Sequence, residues 1–597
     1  MPAIITSKFR FHNAEQFKES FSEAAATNYY LFIGRPGVFA TGTTGGTDAA
    51  PPTPPDNRRA EARYWDDMLA AKRIVSTGVT HAIPRRDLDT SGATKYDMYR
   101  PDYSTGKVAT SGATNLFDST FYFVTSAYRV YKVLDNNGGA NIGGGSAFSA
   151  PTTEDRDPFT VGGYLVKYMY KLSTTDVQNF LTPDFMPAPT VAETNKAIAD
   201  GKLSNVIISN AGVATADGST WDVTSDRVVT NVPIRGDGTG GTVSVTIGRD
   251  GGGSDGTITA VAVTSTTDSG YTHAFIHHND IIEQHNLQNS EVLEFSTDPV
   301  FEVIIPPDGG HGSNPAKELG GHFVLMDTKL EQTEGFDFSV VNDFRQVGIV
   351  RNPTSYGTTN VYSGSTSRQT YAIKLASGTS GTFRVDGKIS QTITPVAVSS
   401  ITLSGNTITV STGSNAHNLT TGQTVDITGG DFTGTGVTNA NGHQGTHHIT
   451  RDSATQFSYT LASSRTPAAS SGLTAPTSGV SYTTFSPQGT VVEYDSGNGV
   501  LFYVQTMYDD QGTDATWKQN IPFGGAGVIT GDAVGGGSAT ATPDVAYSSA
   551  LNNTSFTAGY ANPEMQPDSG DVIYIENRKP ISRASDQTED IKLIVEF

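Results

Sequence analysis

The stretch that decides the fold is Ser569-Gly-Asp-Val-Ile-Tyr-Ile-Glu-Asn-Arg-Lys-Pro-Ile581, followed by Ser585-Asp-Gln-Thr-Glu-Asp590 and the run to Phe597. Val572-Ile-Tyr-Ile575 is apolar on both faces, the pattern of a strand covered on two sides, although periodicity alone does not exclude helix. Ile591, Leu593, Val595 and Phe597 fall on one side, with Lys592 and Glu596 on the other. That period of two marks a half-buried strand. The polar, Pro580-marked link between the two runs carries no recognisable chemistry. An apolar strand in this position is expected to be tied into a sheet.

The rest of the chain agrees with a mainly β protein. At 597 residues it exceeds what one core supports, so two to four domains are expected. Gly, at 65, outnumbers Lys and Arg together, at 39, and charged residues are only 17%. Many short strands joined by Gly, Thr, Asn and Asp turns give such a composition. The 36% apolar content, with 28 Phe and 24 Tyr, is too high for a disordered chain. A net charge of −21 argues against a surface that coats nucleic acid or an anionic membrane. With no Cys, stability must come from packing or assembly. The segment Met1-Pro-Ala-Ile-Ile-Thr-Ser-Lys8 lacks a signal peptide's apolar core, and no run reaches the ~20 apolar residues of a membrane helix, so no membrane insertion is expected.

Residues 1–35 read strand, helix, strand, with Asn13 as the helix cap and Phe17 and Phe21 on one face. Tyr29-Tyr-Leu-Phe-Ile-Gly-Arg35 reads as a buried strand. A Pro-rich loop, Ala49-Ala-Pro-Pro-Thr-Pro-Pro55, precedes a second helix expected over Arg59–Ile74, with Trp65, Met68 and Leu69 on its apolar side. Strands follow around Phe121–Leu134 and Gly163–Leu172. Two Gly-, Ser- and Thr-punctuated stretches, 200–276 and 391–485, read as inserted small β-domains. They divide a core β-sandwich into three segments, 1–199, 277–390 and 486–597.

The remainder outside the insertions carries six landmarks in order. They are Thr6-Ser-Lys-Phe-Arg10, Phe32-Ile-Gly-Arg35, Ala82-Ile-Pro-Arg-Arg-Asp87, the aromatic strand Tyr164–Leu172, Phe344-Arg-Gln-Val-Gly-Ile-Val-Arg-Asn-Pro353 and the C-terminal stretch quoted above. Together they closely resemble the baseplate wedge subunit encoded by gene 8 of T4-like contractile-tailed bacteriophages. The departures are the two insertions, the Gly-rich tract Gly524–Ser538 and poor agreement between residues 36 and 75. The resemblance implies a layered antiparallel β-sandwich with a few helices in its loops. It also implies a structural, non-enzymatic subunit of the virion tail baseplate, made and assembled in the cytoplasm of a host bacterium. The implied partners are a second copy, as a homodimer, and the wedge proteins of genes 6, 7 and 10. The stretch 391–485 more loosely resembles a β-module of phage tail and decoration proteins with a His417-x-Leu-x-x-Gly-x-x-Val425 turn. A different reading makes the protein a carbohydrate- or receptor-binding tail component acting through the inserted domains, with Trp221 and Tyr271 as exposed sugar platforms.

The chemistry-bearing motifs favour structure over catalysis. His277-His278 with His285, and His443 with His447-His448, are the densest histidine clusters, but adjacent histidines on a strand face opposite ways and the spacing fits no metal motif. They read as turn or surface histidines, and no metal or cofactor is expected. Gly387-Lys388 and Gly236-Asp-Gly-Thr-Gly-Gly241 lack the helix that a phosphate loop needs. Gly252-Gly-Ser-Asp-Gly256 lacks the strand-to-helix elbow that would expose Ser254. The acid pairs Asp66-Asp67, Asp509-Asp510 and Glu589-Asp590 read as solvated faces or turns rather than paired glycosidase carboxylates. The candidate interface residues are Arg85, Arg86, Asp87, Arg345, Glu576, Asn577, Arg578 and Asp586, where Arg–carboxylate pairing would lock a loop within one subunit or a contact between subunits.

Overall fold

Thr6 sets where the first helix begins. It is extended, and its side chain accepts from the Phe9 N–H at 3.3 Å, capping helix α1 (Ser7–Glu19). Asn13 therefore lies inside the helix, and residues 4–6 are not the expected strand. Phe17 and Phe21 do share a face and pack edge to face at 5.2 Å. Strand β1 (Tyr29–Gly34) is buried throughout. Asn57 caps helix α2 (Arg58–Asp66), which stops eight residues short of the expected end at Ile74. Met68–Arg73 is instead strand β2, and it is followed by strand β3 (Val79–Pro84). Met68-Leu-Ala-Ala71 is buried on both faces, and pairing with β1 satisfies its backbone there, so tertiary context overrides helix propensity. The computed structural model describes residues 4–23, 27–39, 45–216, 218–251, 255–330, 342–417, 419, 421–484, 486–505, 522–582 and 589–597.

The chain forms two units, and the strand pairs of both are antiparallel. One unit comprises Met1–Ala26, Val75–Asp327 and Ile591–Phe597; the other comprises Thr27–Ile74 and Thr328–Asp590. In the second unit, β1 lies inside a five-stranded sheet with the order Thr366–Arg368, β2, β1, Phe344–Arg351, Asp571–Ile581. Tyr30, Phe32, Trp65, Met68 and Val350 form the core against one face. A seven-stranded sheet in the same unit sets Lys388–Gln391 beside Gln488–Asp495. Between those neighbours the chain makes an excursion with its own buried cluster, from Val398 to Tyr482.

In the first unit, the last strand (Glu589–Glu596), Phe323–Leu330, β3 and Phe185–Ala188 form one four-stranded sheet. Tyr122–Val124, Arg129–Asp135, Tyr164–Lys171 and Phe159–Val161 form another. Its core is aromatic: Phe121, Tyr122, Phe123, Tyr131, Tyr164 and Tyr168 are all fully buried. A further cluster runs from Leu203 to Val303, and within it Val206–Asn210 pairs with Val300–Val303.

The two C-terminal strands differ from each other as their sequences do. In the last strand Ile591 and Leu593 are buried while Asp590 is exposed, and Phe597 packs on Phe17 at 5.3 Å. The strand Asp571–Ile581 is an edge strand, and Ile573 is 42% exposed, so it is not covered on both faces as its apolar run suggested. It also continues through Asn577–Ile581, which the sequence assigns to a link. An edge position tolerates Pro580, which has no N–H to donate to a ladder.

Gly348 sits at the crowded centre of the five-stranded sheet, opposite Phe32 on one side and Ile575 on the other. A Cβ there would lie 2.4 Å from Phe32 Cζ and 2.7 Å from the Tyr574 carbonyl oxygen. Gly348→Ala is expected to destabilise this sheet by roughly 1–3 kcal/mol, and adding Phe32→Leu to recover part of the loss. Urea unfolding followed by fluorescence measures both, and an unchanged midpoint for Gly348→Ala would refute the packing argument.

Candidate functional site

The candidate interface residues fall into two groups. Arg85, Arg86 and Asp87 follow β3. Arg85 Nε donates to Asp87 Oδ1 at 2.9 Å, and Arg85 Nη1 to the Thr182 carbonyl at 3.2 Å. Arg86 lies over the Tyr122 ring at 4.5 Å and donates to the Ser119 and Phe117 carbonyls. The Asp87 carbonyl accepts from Tyr96 Oη at 2.9 Å. These side chains fasten loops of their own unit.

The second group lies on the five-stranded sheet. Arg345, only 5% exposed, donates through Nε to both carboxylate oxygens of Asp48, at 3.1 and 3.0 Å, and through Nη1 to the Pro36 carbonyl at 2.5 Å. Asn577 accepts from Gln346 Nε2 at 2.8 Å and donates to the Pro52 carbonyl at 2.8 Å. Arg345 and Asn577 thus pin the Pro-rich loop. Glu576 accepts from Tyr574 Oη at 2.9 Å and lies 3.8 Å from Arg578 Nε, and both of these charged side chains are about 40% exposed. Asp586, together with Ser254 and the pair Asp509-Asp510, lies outside the described residues.

The other motifs resolve into packing. His277 caps the helix His278–Gln288 and stacks on His278 at 4.6 Å, so this pair does not lie on a strand. His285 and His443 are fully buried rather than surface residues, and burial pushes both imidazoles below their usual pKa. Among the described residues no three His, Asp or Glu side chains gather as a metal site. Trp221 and Tyr271 are each 2% exposed, so neither is a platform for sugar. The Trp221 indole donates to the Gly248 carbonyl at 2.8 Å, and Tyr271 Oη donates to the Ile234 carbonyl at 3.0 Å. Asp67 of the first acid pair forms an ion pair with Arg35 at 3.3 Å. In the His417 turn, Nδ1 accepts from the Leu419 N–H at 2.9 Å while Nε2 faces the Ser453 and Gln456 carbonyls, which requires the proton on Nε2.

Two features escaped the sequence reading. The pentapeptide Thr-Ser-Gly-Ala-Thr occurs at 90–94 and again at 110–114. Ser91 donates its N–H and Oγ to Asp89 at 2.9 and 2.8 Å, and Ser111 does the same to the buried Asp97 at 2.9 and 2.5 Å. The repeat itself was the missed signal. The other feature is a buried charge cluster in the aromatic core. Lys132 and Glu318 form an ion pair at 0% and 2% side-chain exposure. Glu318 also accepts from the Gly312 N–H at 2.8 and 2.9 Å and from the Asn314 N–H at 3.2 Å. Tyr99 lies 4.8 Å below the Lys132 ammonium, and His311 meets the Tyr99 ring edge at 5.1 Å. Burial lowers Lys132 and takes the equally buried Lys167 down to about 8, with the Lys132 charge adding to the effect. Above this cluster a cavity of about 750 Å³ opens, lined by Phe11, Tyr99, Phe117, Ile305 and Glu318 among others.

These polar groups close on the chain's own backbone and carboxylates. The chain is similar, over residues 3–179 and 542–597, to the family described as Phage-Gp8: Bacteriophage T4, Gp8. The landmark Phe344–Pro353 and both inserted stretches lie outside the matched segments. That family is a structural component of the phage tail baseplate, a part of the virion tail that associates with other baseplate proteins. No helix among the described residues is long and apolar enough to cross a membrane. No curated protein matches the chain.

Lys132→Met is expected to cost roughly 3–5 kcal/mol, because it leaves Glu318 buried without a counter-charge, and Lys132→Met/Glu318→Gln to recover some of that loss. For Lys167, the folded pKa of about 8 lies below the ordinary 10.5 of the unfolded chain. Between those values the unfolded state binds more protons, so stability rises with pH across that window. Chemical denaturation of wild type and Lys167→Met between pH 7.5 and 10.5 checks this: the variant should lack the rise.

Proposed function

We propose that the protein is a non-enzymatic wedge subunit of the tail baseplate, working as a homodimer that docks onto the wedge proteins of genes 6, 7 and 10. The observation that carries this reading is the family match over residues 3–179 and 542–597, which include α1, β1, β2, β3 and both C-terminal strands. Those elements contribute strands to the sheets of both units. A dimer of this kind needs a self-complementary patch, and obligate interfaces often bury about 2,000 Å² or more. Its action is mechanical: rigid sheets hold docking surfaces in place while the baseplate assembles and changes shape. Burial of Trp221 and Tyr271 removes the aromatic support for a sugar-binding role.

We further propose that the two β-modules are insertions into this framework, at 391–485 and, for the first, at about 205–304 rather than 200–276. Support comes from where each excursion starts and ends. The Gln391 N–H donates to the Pro487 carbonyl at 3.1 Å, and the Ile304 N–H to the Asn205 carbonyl at 3.1 Å. The second excursion leaves and rejoins its sheet at neighbouring points, and the first begins and ends at hydrogen-bonded residues, as inserted domains do.

Mixing the purified protein with the other wedge proteins should give a complex that contains it, and light scattering of the protein alone should give the dimer mass. A monomer that stays out of wedge intermediates would defeat the reading. Replacing residues 392–486 by a short Gly-Ser splice should leave a soluble protein of unchanged oligomeric state. Aggregation of the spliced protein beside intact wild type would show the module to be integral to its unit.

A further inference from the structure

The strand Asp571–Ile581 closes one side of the five-stranded sheet. One flank is bonded to Phe344–Arg351, and among the described residues no strand lies on the other. This eleven-residue edge, irregular at Ile573 and beyond Asn577, presents N–H and C=O groups that another strand can extend. Its charges are ordered along its length: Asp571, whose Oδ2 also accepts from Arg351 Nη2 at 2.7 Å, begins it, Glu576 is central, and Arg578 and Lys579 stand near its end. That order distinguishes between partners. A parallel copy would set like charges side by side, whereas an antiparallel copy sets the acidic start of each strand beside the basic end of the other.

We infer that this edge is the seam of the homodimer, formed by antiparallel pairing of Asp571–Lys579 with the same stretch of a second copy; the inference rests on the dimer proposed above. With the two-fold axis at Ile575, Asp571 stands opposite Lys579 twice and Tyr574 opposite Glu576 twice. Ile573, 42% exposed in the single chain, then faces Asn577. Pro580 falls just beyond the paired stretch, so its missing N–H removes no bond from the ladder. The arrangement is isologous and closes on itself, leaving no further edge at this position. A chain of net charge −21 repels its copies in general, so the local complementarity of this strand selects the one orientation in which they meet.

The absence of Cys from the chain makes the test direct. Directly opposed residues of an antiparallel pair have Cα atoms about 4.5–5.5 Å apart, within disulfide range. Ile575→Cys should therefore give a covalent dimer on mild oxidation, while Val191→Cys, at a 74% exposed position of the other unit, should not. Lys579→Asp should weaken the dimer about ten-fold or more by light scattering, and Asp571→Lys/Lys579→Asp should restore it. A monomeric wild type would overturn both the dimer and its seam. A dimeric wild type that gives no Ile575→Cys cross-link and is indifferent to Lys579→Asp would overturn the seam alone. Circular dichroism of each variant separates loss of pairing from loss of fold.

Discussion

The backbone ladder between β1 and Phe344–Arg351 organises the second unit. Six successive residue pairs, Tyr29↔Arg351 to Gly34↔Gln346, join positions more than three hundred residues apart in the chain. β2 then adds to the free flank of β1, and Asp571–Ile581 to the free flank of Phe344–Arg351. Without the central pair neither outer strand has a template. The side chains follow the same logic: Phe32 covers Gly348, and Arg345 ties the sheet to Asp48 and Pro36. In a chain without disulfides, this long-range ladder holds together segments that have no local reason to meet.

What was legible in the sequence was the short-range pattern. The alternation of Ile591 and Leu593 with Asp590 and Lys592 reads directly as a half-buried strand, because each side chain's fate depends only on which face it occupies. β2 was misread because Met68-Leu-Ala-Ala71 has good helix propensity, and the partner that makes it a strand lies outside the local window. Trp221 and His285 were misplaced for a related reason. A polar-edged aromatic can be buried only if a partner accepts its N–H, and the Gly248 carbonyl that receives Trp221 is fixed by folding rather than by spacing. Lys132 lies in the middle of the strand Arg129-Val-Tyr-Lys-Val-Leu-Asp135. Its partner Glu318 is 186 residues away, and nothing near either residue announces the pair.

The candidate site was legible only incompletely. Arg85, Arg86 and Arg345 are all bonded, but their partners are mainly backbone carbonyls and loops of their own unit. The outward-facing charges are Asp87, Glu576 and Arg578, and the position of the last two on an edge strand emerged only with the sheet order. The family match covers residues 3–179 and 542–597, while the inserted modules build separate cores from alternating Val, Ile and Tyr. Buried histidines, and the lysine pair Lys132 and Lys167, add pH-sensitive groups to cores made mainly of apolar side chains.

The order of the strands along the chain has a consequence for synthesis. Asp571–Ile581 closes one sheet and Glu589–Glu596 closes another, in different units, and both emerge from the ribosome after every other strand of those sheets. A chain that stops before residue 571 has Phe344–Arg351 and Phe323–Leu330 each bare along one flank. Such fragments carry sticky edges suited to aggregation or proteolysis rather than to docking. Only a chain translated through both late strands presents finished sheets.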